Sequence, residues 1–142
     1  MIDLYNTFKV TTLTNAAVIT ADTNSSSVDL LGYDSCLVVV DVGLDAGSGL
    51  DGSNNWKIGL EESDDDSTFT DVAEANMVGA ISGTTTGQFA LVDAVGEDET
   101  TYKVCYIGSK RYLRVHLDET GTCSTPISAV AIAGNYKYPP VA

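Results

Sequence analysis

The sequence predicts an all-β protein, a single-domain antiparallel β-sandwich that is either jelly-roll-like or immunoglobulin-like. Short segments rich in Val, Ile, Thr and Tyr recur along the chain, separated by clusters of Gly, Asn, Asp and Ser. No segment keeps a helical apolar period for more than about three turns. The length of 142 residues fits one domain, and a hydrophobic content of 44% suffices for one packed core.

Alternating apolar and polar residues predict the individual strands. In NWKIGLEE and RYLRVHLD every second residue is large and apolar, which indicates one buried side and one solvent-facing side. The run LVVV at 37–40 is apolar on both faces and predicts a central strand. We expect strands at residues 5–13, 16–20, 27–31, 35–44, 55–62, 68–73, 86–92, 100–107, 111–118 and 127–134.

The chain divides into an N-terminal arm or first strand (1–15), the β-sandwich (16–135) and an extended C-terminal tail (136–142). Pro139 and Pro140 lack amide donors, so the tail cannot occupy the centre of a sheet. Tyr136 and Tyr138 give it two large apolar side chains. We expect this tail to dock on another surface.

The charge balance excludes some partners. With 20 acidic and 7 basic residues the net charge is −13, which repels nucleic acid, so we expect no nucleic-acid partner. The longest apolar run, CLVVVDVGL, is interrupted by Asp41, so we expect no membrane partner. No secretory signal is visible, and three cysteines without a CxxC pair predict free thiols. A disulfide between Cys36 and Cys105 is possible only if the strands that contain them are neighbours.

The acidic segment EESDDDSTFTDV (61–72) allows several interpretations. It lacks the glycine and the bidentate glutamate of an EF-hand, although calcium at 61–66 or in the glycine-rich loop 45–55 stays open. Consecutive aspartates on a turn are solvated, which disfavours a hydrolase that uses them. The favoured interpretation is a hairpin in which Ser63 and Asp64 accept backbone amides and Phe69 packs.

Little in the sequence indicates catalysis. His116 is the only histidine, so it cannot form a histidine metal cluster, and we expect it on a solvent-facing or interfacial strand face. No nucleophile, phosphate-loop or dinucleotide motif is present. We therefore predict no enzyme activity, no catalytic residue, no cofactor and no metal.

Basic residues concentrate in one predicted hairpin, whose turn IGSKRY would use Gly108 as its left-handed residue. They are either charges that protect a sheet edge or a Tyr/Arg-rich contact patch for an acidic surface or a neighbouring copy. The cluster consists of Lys103, Lys110, Arg111 and Arg114, interleaved with Tyr102, Tyr106 and Tyr112.

The order of the motifs VITADTNSSSVDLLGYDSCLVVVDVG, KIGLEESDDDSTFTDV, YKVCYIGSKRYLRVHL and ISAVAIAGNYKYPPV resembles a family of tailed-bacteriophage head auxiliary proteins, which decorate or cement capsids. The similarity covers about residues 16–141. In its S-x-D-G-x-x-[FW] hairpin, Asp66 replaces the usual glycine.

The resemblance implies a protein that is made in the host cytoplasm and binds the outer surface of the assembled head. There it would stabilise contacts between major capsid subunits. Its partners would be the major capsid protein and other copies of itself, which could form a homotrimer. The expected contact residues are Lys103, Lys110, Arg111, Arg114, Tyr112, Tyr136, Tyr138, Pro139, Pro140, Tyr5 and Phe8. The alternative is a virion-associated glycan-binding module built on Trp56 and loop 45–55, although the strand pattern favours burial of Trp56.

Overall fold

The computed structural model describes residues 3–136, which form two antiparallel sheets and a four-residue helix. In chain order the elements are α1 (Leu4–Thr7), β1 (Lys9–Ile19), β2 (Thr23–Asn24), β3 (Val28–Asp29), β4 (Tyr33–Val42), β5 (Asn55–Ser63), β6 (Thr70–Asp71), a 3₁₀ turn (Glu74–Asn76), β7 (Met77–Val78), β8 (Gln88–Val92), β9 (Thr100–Tyr106), β10 (Tyr112–Thr120) and β11 (Thr125–Tyr136). No helix within residues 3–136 is long and apolar enough to cross a membrane.

The strand order is that of a jelly roll. The five-stranded sheet runs β1-β11-β4-β9-β7, while in the six-stranded sheet β10 pairs with β2, β3 and β5, and β5 also pairs with β6 and β8. With β2 and β3 taken as one interrupted strand, and β6 and β7 set aside, the remaining eight run 1-8-3-6 and 2-7-4-5. This order is the double Greek key, so the predicted sandwich is confirmed in its jelly-roll form.

The core lies between the two sheets, and it follows the predicted alternation. Val38 and Val40 of β4 face Ile58 and Leu60 of β5 and Val115 of β10 across the sandwich, and all five are fully buried. The run LVVV occupies the middle strand of the five-stranded sheet, as predicted. The burial of each such side chain contributes about 1.5–3 kcal/mol, and these contributions hold the two sheets together.

Two expectations about local structure were wrong, and two short strands were not predicted. Residues 4–7 form α1 instead of a strand, because the Asp3 carboxylate accepts the amides of Tyr5 and Asn6 and caps the helix. Strands 5–13 and 16–20 are one strand, β1, whose two register shifts against β11 absorb the extra residues around Thr14. Two-residue strands β2 and β7 carry too little pattern to be recognised in the sequence.

The jelly roll has two unlike ends. One, here called the contact end, contains the arm 3–8, loop 30–32, loop 107–111, the acidic turn 63–68 and the end of β11. The other, here called the far end, contains loops 20–22, 43–54, 93–99 and 121–124. The far-end loops hold seven acidic residues and no lysine or arginine. The predicted boundary at residues 15 and 16 falls inside β1, and β11 ends at Tyr136, the first residue of the predicted tail.

Candidate interaction surfaces

A cavity of about 400 Å³ opens at the contact end, between loops 30–32 and 107–111. Leu30, Leu31 and Tyr33 give it an apolar wall, and Lys110 and Arg111 stand beside that wall. Leu31 is 69% exposed, so this apolar surface is open to solvent. A pocket with an apolar wall of this kind fits an apolar or aromatic side chain.

The loop 107–111 is anchored by a buried pair beneath it. The Tyr106 hydroxyl donates to Glu62 Oε2 at 2.6 Å and accepts the Lys110 amide at 3.0 Å. Burial, followed by the Glu62 contact, raises the pKa of Tyr106 well above its ordinary value. Gly108 is not in the left-handed conformation that the sequence predicted; a Cβ there would lie 2.4 Å from the Tyr106 hydroxyl oxygen, so glycine permits the close approach.

The cations of the predicted basic hairpin pair with carboxylates of the same chain. Arg111 makes a two-point ion pair with Asp29, at 2.9 Å from Nε to Oδ1 and 2.8 Å from Nη2 to Oδ2. Lys110 pairs with Asp64. An acidic partner would have to compete with these internal carboxylates, so the hairpin offers little unpaired positive charge.

Two other predicted basic residues lie on the outer sides of the two sheets. Arg114 lies near the contact end of β10, where Nε donates to Glu61 Oε2 at 2.6 Å and the guanidinium stacks 4.0 Å from the Phe69 ring centre. Lys103 lies midway along β9 on the outer side of the other sheet. These two residues therefore belong to different surfaces of the molecule.

The arm brings exposed aromatic rings to the contact end. Tyr5 is 90% exposed and Phe8 is 39% exposed, and the Phe8 ring lies directly over Gly134 of β11. Tyr112 begins β10 at this end, and the Arg111 guanidinium lies 5.0 Å from its ring centre. The backbone of Tyr136 pairs with Tyr33, and the predicted contacts Tyr138, Pro139 and Pro140 lie outside the described residues.

The acidic segment forms a hydrogen-bonded turn whose details differ from the prediction. Ser63 Oγ accepts the amides of Asp65 and Asp66, while Asp65, not Asp64, accepts the amides of Ser67 and Thr68. The hydrogen bonds from Thr68 and Ser67 lower the pKa of Asp65 to about 2. Asp66 adopts the left-handed φ of 58°, so it reproduces the conformation of the glycine that it replaces. In residues 3–136 no group of three or more His, Cys, Asp or Glu side chains is placed to hold a metal ion.

The outer faces of the two sheets have opposite character. On the six-stranded sheet the outward residues are mostly polar or charged, as with Lys57, His116 and Asp118, and Leu91 is an apolar exception. On the five-stranded sheet one row of paired residues crosses all five strands and is entirely apolar: Val10, Ile132, Leu37, Cys105 and Val78. We call the outward side of the five-stranded sheet, with this row at its centre, the outer sheet face. The sequence analysis did not predict it, although the runs LVVV and AVAI, which are apolar on both sides of their strands, indicated it.

The remaining candidates are accounted for inside the fold. Trp56 is fully buried, as its strand pattern indicated, and its Nε1 donates to Thr125 Oγ1 at 2.8 Å, so it is no glycan platform. His116 Nδ1 lies 2.7 Å from Asn24 Oδ1. Strands β4 and β9 are neighbours, but Cys36 points into the core and Cys105 outward, so these thiols cannot form a disulfide.

The structure is that of a single-domain jelly-roll protein with an apolar cavity at one end and an apolar row on the outer side of one sheet. No family model and no curated protein sequence matches the chain. Among solved structures it is similar to the SPBc2 prophage-derived protein YomS, at 14% identity and a TM-score of 0.44, covering 88% of this chain and 94% of that one. It is also similar to a chain of infectious bursal disease virus strain Gx, at 13% identity and a TM-score of 0.39, covering 93% of this chain and 33% of that one.

The VP2 subviral particle of infectious bursal disease virus gives a TM-score of 0.31 at 15% identity, covering 92% of this chain and 31% of that one. This chain therefore spans about a third of the length of the two infectious bursal disease virus chains, and nearly all of the prophage-derived protein. Likenesses at these identities and scores concern strand arrangement alone.

Proposed function

We propose that this protein decorates the head of a tailed bacteriophage, binding the outer surface of the assembled shell and stabilising contacts between major capsid subunits. The observation that supports this proposal is the contact end, which collects most of the surface elements expected from the resemblance. Tyr5, Phe8, Arg111 and Tyr112 come from separate parts of the chain and lie at one end of the sandwich. β11 ends at this same end with Tyr136, the first residue of the predicted tail.

The chemistry of this end suits a protein partner. Exposed aromatic rings beside a cavity with apolar walls are the features that dominate binding energy at interfaces. A ligand that binds only the assembled shell stabilises that shell by mass action at every occupied site. The partners in this proposal are the major capsid protein and further copies of this chain, and its place is the capsid surface of the virion.

Binding to heads that lack the protein tests the proposal. Purified chain is added to such heads, which are then sedimented, and their disruption temperature is measured with and without bound protein. Leu31→Asp places a charge on the apolar wall of the cavity, and we expect it to weaken binding at least tenfold. The wild-type chain should raise the disruption temperature, and Leu31→Asp should not do so at equal concentration.

The matched control is Val95→Asp, the same kind of change at the far end, where Val95 is 88% exposed. It should bind like the wild-type chain. The proposal fails if saturating wild-type protein never sediments with heads, or if the two variants weaken binding equally. Both variants need a wild-type thermal midpoint before their binding is compared.

A further inference from the structure

The outer sheet face is an apolar surface on which the described arm covers only the end at Gly134, where the Phe8 ring lies. We infer that it binds the same face of a second copy of this chain, packed sheet against sheet about a two-fold axis. The inference concerns self-association in solution and stands without the proposed capsid role. Its evidence is the apolar character, the charge, the size and the edges of this sheet.

Exposure shows that the apolar side chains of this face are open to solvent at both edges of the sheet. Val10 is 68% and Val78 is 60% exposed, one on each edge strand, and the half-buried Leu37, Cys105 and Ile132 lie between them. A continuous apolar surface of several hundred square ångströms on a soluble protein marks an interaction site. Sheet faces of this kind pack against one another in sandwiches at a separation of about 10 Å.

The charge distribution favours a copy of the same chain. Of the strand residues that point outward from this sheet, only Asp41 and Lys103 are charged, so the face is neutral on a chain of net charge −13. Two copies that met at the far end would place carboxylates against carboxylates. The outer sheet face is where two such acidic chains approach with the least repulsion.

The size of the face matches a modest dimer. The strands β1, β11, β4, β9 and β7 have 11, 12, 10, 7 and 2 residues, and at about 3.3 Å per residue and about 4.8 Å between strands they span about 650 Å². Two such faces bury about 1,300 Å², which lies at the lower end of stable protein interfaces. We therefore expect a dimer that dissociates in the micromolar range.

The edge strands of the five-stranded sheet are poorly suited to pairing with another chain, so two copies would associate by packing face to face. β1 has two register shifts against β11, which bend it away from a straight template, and β7 is only two residues long. Short or bulged edges resist pairing with another chain. Two copies thus cannot readily extend the sheet sideways, and the apolar side chains between the edges remain to be covered.

Mass measurement with charge-matched variants tests the inference. By light scattering or sedimentation between about 1 and 200 µM, the wild-type chain should rise from its mass of 14.9 kDa to twice that mass. Val39 pairs with Val130 and Lys103 and points outward from the same sheet as Ile132. The double variant Val39→Glu/Ile132→Glu should stay monomeric throughout. Lys57→Glu changes the net charge by the same two units on the opposite outer face, and it should dimerise like the wild-type chain.

A mixing experiment makes the assignment specific. The double variant Val39→Lys/Ile132→Lys should also be monomeric alone, and an equal mixture with the double glutamate variant should recover the dimer mass. The Cys105 thiol is an independent probe, because Cys36 and Cys123 are buried. Its alkylation rate in the wild-type chain should fall several-fold on concentration, and in the double glutamate variant it should not change.

Several outcomes would overturn the inference. They are a wild-type chain that is monomeric at 200 µM, a dimer that survives the double glutamate change, and a trimer. A monomer whose double glutamate variant no longer binds heads would assign the face to the shell instead. A monomer whose Cys105 becomes more reactive on removal of residues 137–142 would assign the face to the chain's own tail.

Discussion

The guanidinium of Arg111 holds the carboxylate of Asp29 through two parallel hydrogen bonds, 2.9 and 2.8 Å long. This contact ties the loop 107–111 to the short strand β3, two segments 82 residues apart in the chain. Arg111 lines the cavity at the contact end and Asp29 directly precedes the lining residue Leu30, so the ion pair connects the two loops that form the cavity. Its strength depends on pH in a way that can be measured.

The Asp29–Arg111 pair should stabilise the fold only above the acidic range. The hydrogen bond from Arg111 lowers the pKa of Asp29 from 3.8 to about 2. A depressed carboxyl pKa contributes stability that is full above about pH 4 and is lost as the pH falls through about 2. Both side chains are more than a third exposed, so we expect Asp29→Asn to cost about 0.5–1 kcal/mol at pH 7. Urea unfolding of the wild-type chain and of Asp29→Asn at pH 7 and pH 2 measures this loss. A loss that persists at pH 2 would show that the ion pair is not its cause.

The Tyr106–Glu62 contact should be the main anchor of the loop 107–111. Tyr106→Phe leaves the buried Glu62 without its donor and the Lys110 amide without its acceptor, so we expect a loss of about 1–3 kcal/mol. Tyr102→Phe on the same strand is the matched control, because the Tyr102 hydroxyl donates to the Glu97 carbonyl of a more exposed loop. Chemical denaturation should show the smaller loss for Tyr102→Phe, and equal losses would refute the anchor.

A buried chain of hydrogen bonds should order the far-end loop 43–54. Trp56 Nε1 donates to Thr125 Oγ1, which donates to Asp45 Oδ1 at 2.7 Å. Burial alone would raise the pKa of Asp45, but hydrogen bonds from Thr125 and neighbouring amides outweigh it and lower the pKa. Thr125→Val removes both contacts and should cost about 1–3 kcal/mol. Amide hydrogen exchange in 43–54 should accelerate in that variant and stay slow in Thr125→Ser.

The left-handed backbone at Asp66 should make glycine the better substitute there. An L-residue in this conformation carries a cost of about 1–2 kcal/mol, which glycine avoids. We expect Asp66→Gly to be about 1 kcal/mol more stable than Asp66→Ala, since both lose the contact with Ser27. At Asp64, where φ is not positive, the same pair of substitutions should favour alanine. The urea midpoints of the four variants test this prediction. If glycine and alanine ranked in the same order at both positions, the backbone explanation would be excluded.

Strand positions and buried faces were predictable because apolar and polar residues alternate with a period of two in each segment. Leu113, Val115 and Leu117 show this, since each is fully buried as the alternation of RYLRVHLD indicated. The partners of surface charges were not predictable in the same way. Arg111 meets Asp29 only because β3 pairs with β10, and that pairing depends on the whole topology.

The role of Gly108 illustrates the same limit. Its position in a turn suggested a left-handed backbone, whereas the structure requires glycine because the Tyr106 ring folds back over it. No local pattern records where an aromatic ring will lie. The outer sheet face was overlooked for a related reason, since a two-sided apolar strand was explained by central placement alone.

Both ends of the described chain emerge at one pole of the jelly roll, and the opposite pole consists of loops alone. Val95, at the tip of loop 93–99, lies on that opposite pole. A foreign epitope spliced in beside it would project away from the arm and from the end of β11. The molecule could in this respect carry an inserted segment that is separated from the contact end by the full length of the sandwich.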